Sequence, residues 1–155
     1  MNYWLMKTEP STFGIDDLMR APGRKTSWEG VRNYQARNML RDDMRRGDLA
    51  FFYHSSCPEP GIAGIVEILG SGYPDPSAWD PRSEYHDAKS PENKPLWYTV
   101  DVRLKDRWKA VLPLEALRAH ADGRLEGMLL LRRGNRLSVT PVDAAHWKFI
   151  LSLHK

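Results

Sequence analysis

The first apolar stretch, Tyr3-Trp4-Leu5-Met6-Lys7-Thr8, predicts a short strand stopped by Pro10. Ile15, Leu18 and Met19 then fall at helical spacing, with Asp16 and Asp17 in the first turn and Pro22-Gly23 as the stop. Asn33 has the chemistry of an N-cap for a helix running to about Met44, in which Ala36, Leu40 and Met44 repeat every four residues and Gly47 suits the end. Leu49, Phe51 and Tyr53 alternate with Ala50, Phe52 and His54, the pattern of a strand covered on both faces. Ile62 to Leu69 predicts another, with Gly61 and Gly64 marking a bulge or a close backbone approach. The clearest alternation sets Tyr98, Val100, Val102 and Leu104 inward against Thr99, Asp101, Arg103 and Lys105 outward.

Between Gly70 and Pro95 the chain is rich in proline, yet Tyr73, Trp79 and Tyr85 make it too aromatic for a solvated linker, so it is expected to pack as an ordered loop. A short helix around Leu114 to Ala119 follows, then an apolar stretch Met128 to Leu131, a turn at Gly134-Asn135 and a strand Leu137 to Thr140. The last helix starts near Asp143 and carries Ala144, Trp147, Ile150 and Leu151 on one face. Short, mostly antiparallel strands broken irregularly by helices predict an α+β fold: a small, partly open β-barrel with helices on its rim, not an alternating βαβ sheet.

Composition narrows the class. A chain of 155 residues with 41% hydrophobic side chains is one ordinary folded domain. Lys7, Glu9 and Pro10 interrupt any secretory signal, and no apolar run approaches the length that spans a bilayer. The lone Cys57 cannot form an intramolecular disulfide and fits a reducing compartment, so the expected location is the cytoplasm, or the nucleus in a eukaryote, with a monomer as the expected state. A formal net charge of +3 permits nucleic acid as a partner without establishing it.

Most catalytic signatures fail. Gly70-Ser71-Gly72 lacks the third glycine of a dinucleotide fingerprint, where Asp75 stands, and neither a phosphate-binding loop of the Walker type nor a nucleophile elbow is present. His54, Cys57 and His86 lack the paired spacing of a metal site, so neither metal nor cofactor is expected. Lys7, Glu9, Asp16 and His54 lie near strand or helix ends, where spacing does not separate catalysis from caps and ion pairs. Lys7, Glu9 and His54 define one alternative, a small nucleotide- or nucleic-acid-processing enzyme; an interaction module that has lost its ligand is another. Arg37, Arg41 and Arg45 share a helix face that reads either as solvated surface or as phosphate contact. Trp28, in the polar string Ser27-Trp28-Glu29-Gly30, reads equally as core or as a stacking platform for a planar ligand, whereas Trp4, Trp79, Trp97, Trp108 and Trp147 read as packing.

Taken together, Lys7-Thr8-Glu9-Pro10, the run Trp28-Glu29-Gly30-Val31-Arg32-Asn33-Tyr34-Gln35-Ala36-Arg37-Asn38, Phe52-Tyr53-His54-Ser55, Tyr73-Pro74-Asp75 and Arg136-Leu137-Ser138-Val139-Thr140-Pro141-Val142 resemble the EVE domain family over nearly the whole chain. The resemblance implies a PUA-like open barrel and a non-catalytic reader of nucleic acid carrying a modified base. Modified cytosine in DNA is the leading ligand and a modified base in RNA a further one. On that basis Trp28 is expected as the platform, with Asn33, Lys7, Thr8, Tyr53, His54, Ser55, Ser138 and Val139 around the base and Arg32, Arg37 and Arg41 on flanking phosphates. Asn33 then has two competing roles, cap and ligand contact. Thr8, Ser56 and Thr140 depart mildly from the family pattern, where serine, asparagine and glutamine are frequent. A platform held in a loop further implies that Trp28→Ala removes binding with little change in melting temperature.

Overall fold

The computed structural model describes residues 1–154. Its frame is a six-stranded mixed sheet in the order β2-β7-β4-β3-β1-β8. The strands are β1 (Tyr3–Thr8), β2 (Lys25–Ser27), β3 (Leu49–His54), β4 (Gly61–Ile68), β7 (Asp101–Pro113) and β8 (Val139–Val142); β5 (Tyr73–Pro74) and β6 (Tyr98–Thr99) form a separate ribbon. Every pair is antiparallel except β1 with β3. The ends β2 and β8 do not pair with each other, so the sheet is the expected open barrel.

Apolar residues cover both faces of the sheet. Along β1 and β3 the period-two alternation sends Trp4, Met6, Ala50 and Phe52 to one core and Leu5, Phe51 and Tyr53 to the other. The first core is closed by Leu18 from α2 (Ile15–Arg20), by Ala36 from α3 (Tyr34–Asn38) and by Leu40 and Met44 beyond it. The second is closed by Leu117 from α4 (Leu114–Arg118) and by Trp147 and Ile150 from α5 (Ala144–Leu153), with Trp147 stacked on Phe51 at 3.9 Å. A short helical turn, α1 (Pro10–Phe13), links β1 to α2. The curl has a visible cause: register shifts interrupt β4 against both neighbours, and a Cβ on Gly64 would collide with the Asp106 carbonyl oxygen.

Several boundaries differ from the sequence reading. The helix expected to run to Met44 is α-helical only to Asn38 and continues as a π turn, Met39–Asp43, in which Met44 N donates to Met39 O at 3.0 Å. The wider turn still buries Leu40 and Met44, so their spacing looks the same in sequence. Thr99, expected to face outward, is fully buried, because β6 leaves the line of β7 to pair with β5. β7 itself runs on to Pro113, well past Lys105. β8 begins two residues later than expected, and Ala144 is exposed rather than on the packed face of α5. The proline-rich loop is ordered, as anticipated, with a 3₁₀ turn at Pro76–Trp79.

Candidate functional site

Parallel pairing places the carboxyl ends of β1 and β3 side by side, and antiparallel β8 brings its start to the same edge. Ser55 N donates to Thr8 O at 2.9 Å, and Lys7 N donates to Ser138 O at 2.8 Å. These strand ends form one wall of a cavity of about 760 Å³, lined there by Lys7, Thr8, Glu9, Ser55, Ser56 and Ser138. Thr12 and Phe13 of α1 add to it, held by a bond from Thr8 Oγ1 to Phe13 O at 3.0 Å. That volume lies within the range that holds a small planar ligand.

The opposite wall is the loop after β2. Trp28 N donates to Val100 O at 2.8 Å, extending the β2–β7 ladder by one step and fixing the start of the loop. The indole packs edge-on against Phe52 at 5.5 Å and is only 7% exposed, yet it borders the cavity, followed by Glu29, Gly30 and Val31. Trp28 is thus core on one side and cavity wall on the other. Gly30 has φ +86°, and a Cβ there would lie 2.5 Å from the Tyr85 ring, so the absence of a side chain lets Tyr85 close over the loop as a third aromatic beside Trp28 and Phe13.

Asp75 ties these loops together. Its fully buried carboxylate accepts from Gly30 N at 3.0 Å, from Arg32 Nη1 at 3.1 Å, and from Ser77 N and Oγ at 2.9 and 2.6 Å. Arg32 also donates from Nη2 to Tyr85 O at 2.6 Å. Burial pushes the Tyr85 phenol above its usual value, aided by Glu84, and pulls Lys7 below its own.

Not all the expected residues meet here. Trp28, Lys7, Thr8, Ser55 and Ser138 line the cavity. Tyr53 points to the other core, where burial pushes its phenol up to about 12; the alternation that puts Phe52 beside Trp28 makes this unavoidable. His54 Nε2 accepts from Ile15 N at 3.1 Å, so its lone pair is taken and it does not join Lys7 and Glu9 in a catalytic group. Val139 is fully buried in the core behind Trp28, and Thr140 in the opposite one. The Asn33 carboxamide oxygen caps α3, accepting from Ala36 N at 3.0 Å, and the side chain lies outside the cavity lining. Arg32 is held by Asp75 and Tyr85, Arg37 Nη1 donates to Leu96 O at 2.6 Å, and Arg41 pairs with Asp42 at 2.7 Å. Sequence reasoning missed Phe13, Glu29, Glu84, Tyr85 and Arg136; only the conformational demand at Gly30 and the aromatics of the long loop hinted at them.

The model of the EVE domain matches residues 2–153. The chain belongs to the EVE domain family. This EVE domain is 42% identical to chicken thymocyte nuclear protein 1 over 99% of its own length and 69% of the relative's. Among solved structures, a protein from Pseudomonas syringae superposes with a TM-score of 0.93 at 54% identity, covering 99% of each chain. The human THYN1 protein, determined in complex with DNA containing 5-methylcytosine, superposes with a TM-score of 0.95 at 40% identity, covering 100% of this EVE domain and 98% of that chain. Among the described residues no helix is long and apolar enough to cross a membrane.

Proposed function

We propose that this EVE domain is a non-catalytic reader of DNA carrying a modified cytosine, which it accepts as an extruded base in the cavity beside Trp28. The observation that carries the reading is an indole bordering a preformed cavity of about 760 Å³ whose rim offers hydroxyls, carboxylates and cations together. Lifting a base from its stack costs a few kcal/mol, which stacking on an aromatic ring at about 1–3 kcal/mol and hydrogen bonds to the base edge return. Thr8, Ser55 and Ser138 supply hydroxyls that donate or accept, and Glu9, Glu29 and Glu84 supply acceptors suited to the exocyclic amine of cytosine. The human relative bound to 5-methylcytosine DNA supports the ligand class.

One methyl group in a fitted subpocket is worth about 1–3 kcal/mol, or roughly 10- to 200-fold in affinity. Titrating short duplexes that carry one central cytosine, 5-methylcytosine or 5-hydroxymethylcytosine, or one N6-methyladenine, tests the proposal. It expects a modified cytosine to bind at least about tenfold more tightly than plain cytosine and the methylated adenine. Equal affinity for all four would overturn it.

A further inference from the structure

One stretch of the chain carries positive charge with no acidic residue in it. Between Gly127 and Val142 the only charged residues are Arg132, Arg133 and Arg136, and these three equal the whole formal excess of +3, so all other charges cancel. All three are exposed, and none joins an ion pair among the described residues, unlike Arg32 and Arg41. Arg136 also lines the cavity, two residues before Ser138.

The turn that carries them is built, not loose. Asn135 Nδ2 donates to Leu129 O at 2.7 Å, its Oδ1 accepts from Leu137 N at 3.1 Å, and its backbone N donates to Arg132 O at 3.1 Å. Gly134 takes φ +80°, which reverses the chain between Arg133 and Arg136. A fixed turn that carries Arg136 at the cavity edge has no backbone freedom left to lose when its arginines engage an anion, so only their side chains are ordered. The helical arginines are placed differently, since the Arg37 and Arg41 guanidiniums already meet acceptors on the protein.

From this arrangement we infer that the Arg132–Arg136 turn is the phosphate grip of the reader: the strand bearing the extruded base crosses the cavity on the β8 side, with Arg136 on the nearest phosphodiester and Arg132 and Arg133 on its neighbours. This rests on the reading given above and specifies where the backbone of the DNA runs.

The test measures binding of a duplex with one central 5-methylcytosine over a range of salt concentrations. Each phosphate contact removed lowers the slope of log affinity against log salt by about 0.7–0.9. The double variant R132A/R133A is expected to lose about two such contacts, R136A one, and Arg136→Lys to restore the slope by retaining the charge. R132A/R133A should melt like the wild type and bind the nucleoside 5-methyldeoxycytidine equally well, because the nucleoside has no phosphate. R37A/R41A should leave the slope unchanged. If the wild type prefers the methylated duplex but R132A/R133A and R136A keep its affinity and slope, the grip is overturned and the reader stands. If the wild type prefers neither the methylated nor the hydroxymethylated duplex over plain cytosine, both fall.

Discussion

At the scale of single residues, Asp75 matters most to the shape of the pocket. With no exposed side-chain surface and four hydrogen bonds to fill its acceptor sites, it is stable only while its partners stay in place. Asp75→Ala strands Arg32 and frees Gly30 N, and should lower the unfolding free energy by about 3 kcal/mol, read from the urea midpoint. Trp28 is a core residue as well as a cavity wall. Because the indole is buried against Phe52, Trp28→Ala should cost about 3–5 kcal/mol and roughly 10 °C of melting temperature, not the small change expected of a loop platform. Trp28→Phe fills much of the same core with a smaller stacking face, so it should melt within a few degrees of wild type yet bind methylated DNA about tenfold less tightly. His54 supplies a test by pH. Burial holds its pKa below the ordinary 6.5, outweighing the pull of Asp16, and only the neutral ring accepts from Ile15 N. The unfolded chain therefore takes up this proton first: the contribution of His54 is complete above 6.5 and is lost as pH falls through the lower folded value. Replacing it with glutamine should reduce the loss of melting temperature between neutral pH and about pH 5.

At the scale of elements, α3 shows which of two roles open to one residue the fold takes up. Asn33 has both the amide that reads a base edge and the oxygen that caps a helix; the Ala36 N–H takes that oxygen. Asn33→Ala should cost about 1 kcal/mol in thermal unfolding, with Asn33→Ser recovering most of it and both variants retaining affinity for methylated DNA. Alternation along β1 and β3 was legible because both faces of those strands are covered, and followed through it separates Tyr53 from Phe52. The π turn was not legible, since a stripe at four-residue spacing survives one widened turn. Nor was the break at Thr99, because the pairing of β6 with β5 depends on a loop that alternation does not describe. Ser56 adds a detail: its φ of +53° lies in the left-handed region, which asparagine tolerates better than serine.

For the molecule as a whole, the open barrel could be read from strand count and patterning, whereas the cavity could only partly be read. Thr8 and Ser55 belong to strand ends that sequence marks clearly, whereas Ser138 precedes a strand expected two residues earlier and Trp28 follows a short strand, β2, that its polar string does not mark. Tyr85 and Glu84 arrive from more than fifty residues beyond Trp28, positioned by a buried carboxylate and a glycine whose roles are set by geometry alone. The same holds for charge: helical spacing draws attention to Arg37 and Arg41, whose guanidiniums meet acceptors on the protein, while Arg132, Arg133 and Arg136 lie in a turn whose Arg136 lines the cavity. The account as a whole rests on a modified base lying against Trp28, and the indole N–H signals of the six tryptophans report that contact directly in a nitrogen-edited NMR titration with 5-methylcytosine duplex. The Trp28 signal should move markedly with the methylated duplex and much less with the unmethylated one, while those of Trp108 and Trp147, in the opposite core, stay in place. A saturated complex in which the Trp28 signal has not moved, or moves equally with both duplexes, would contradict it.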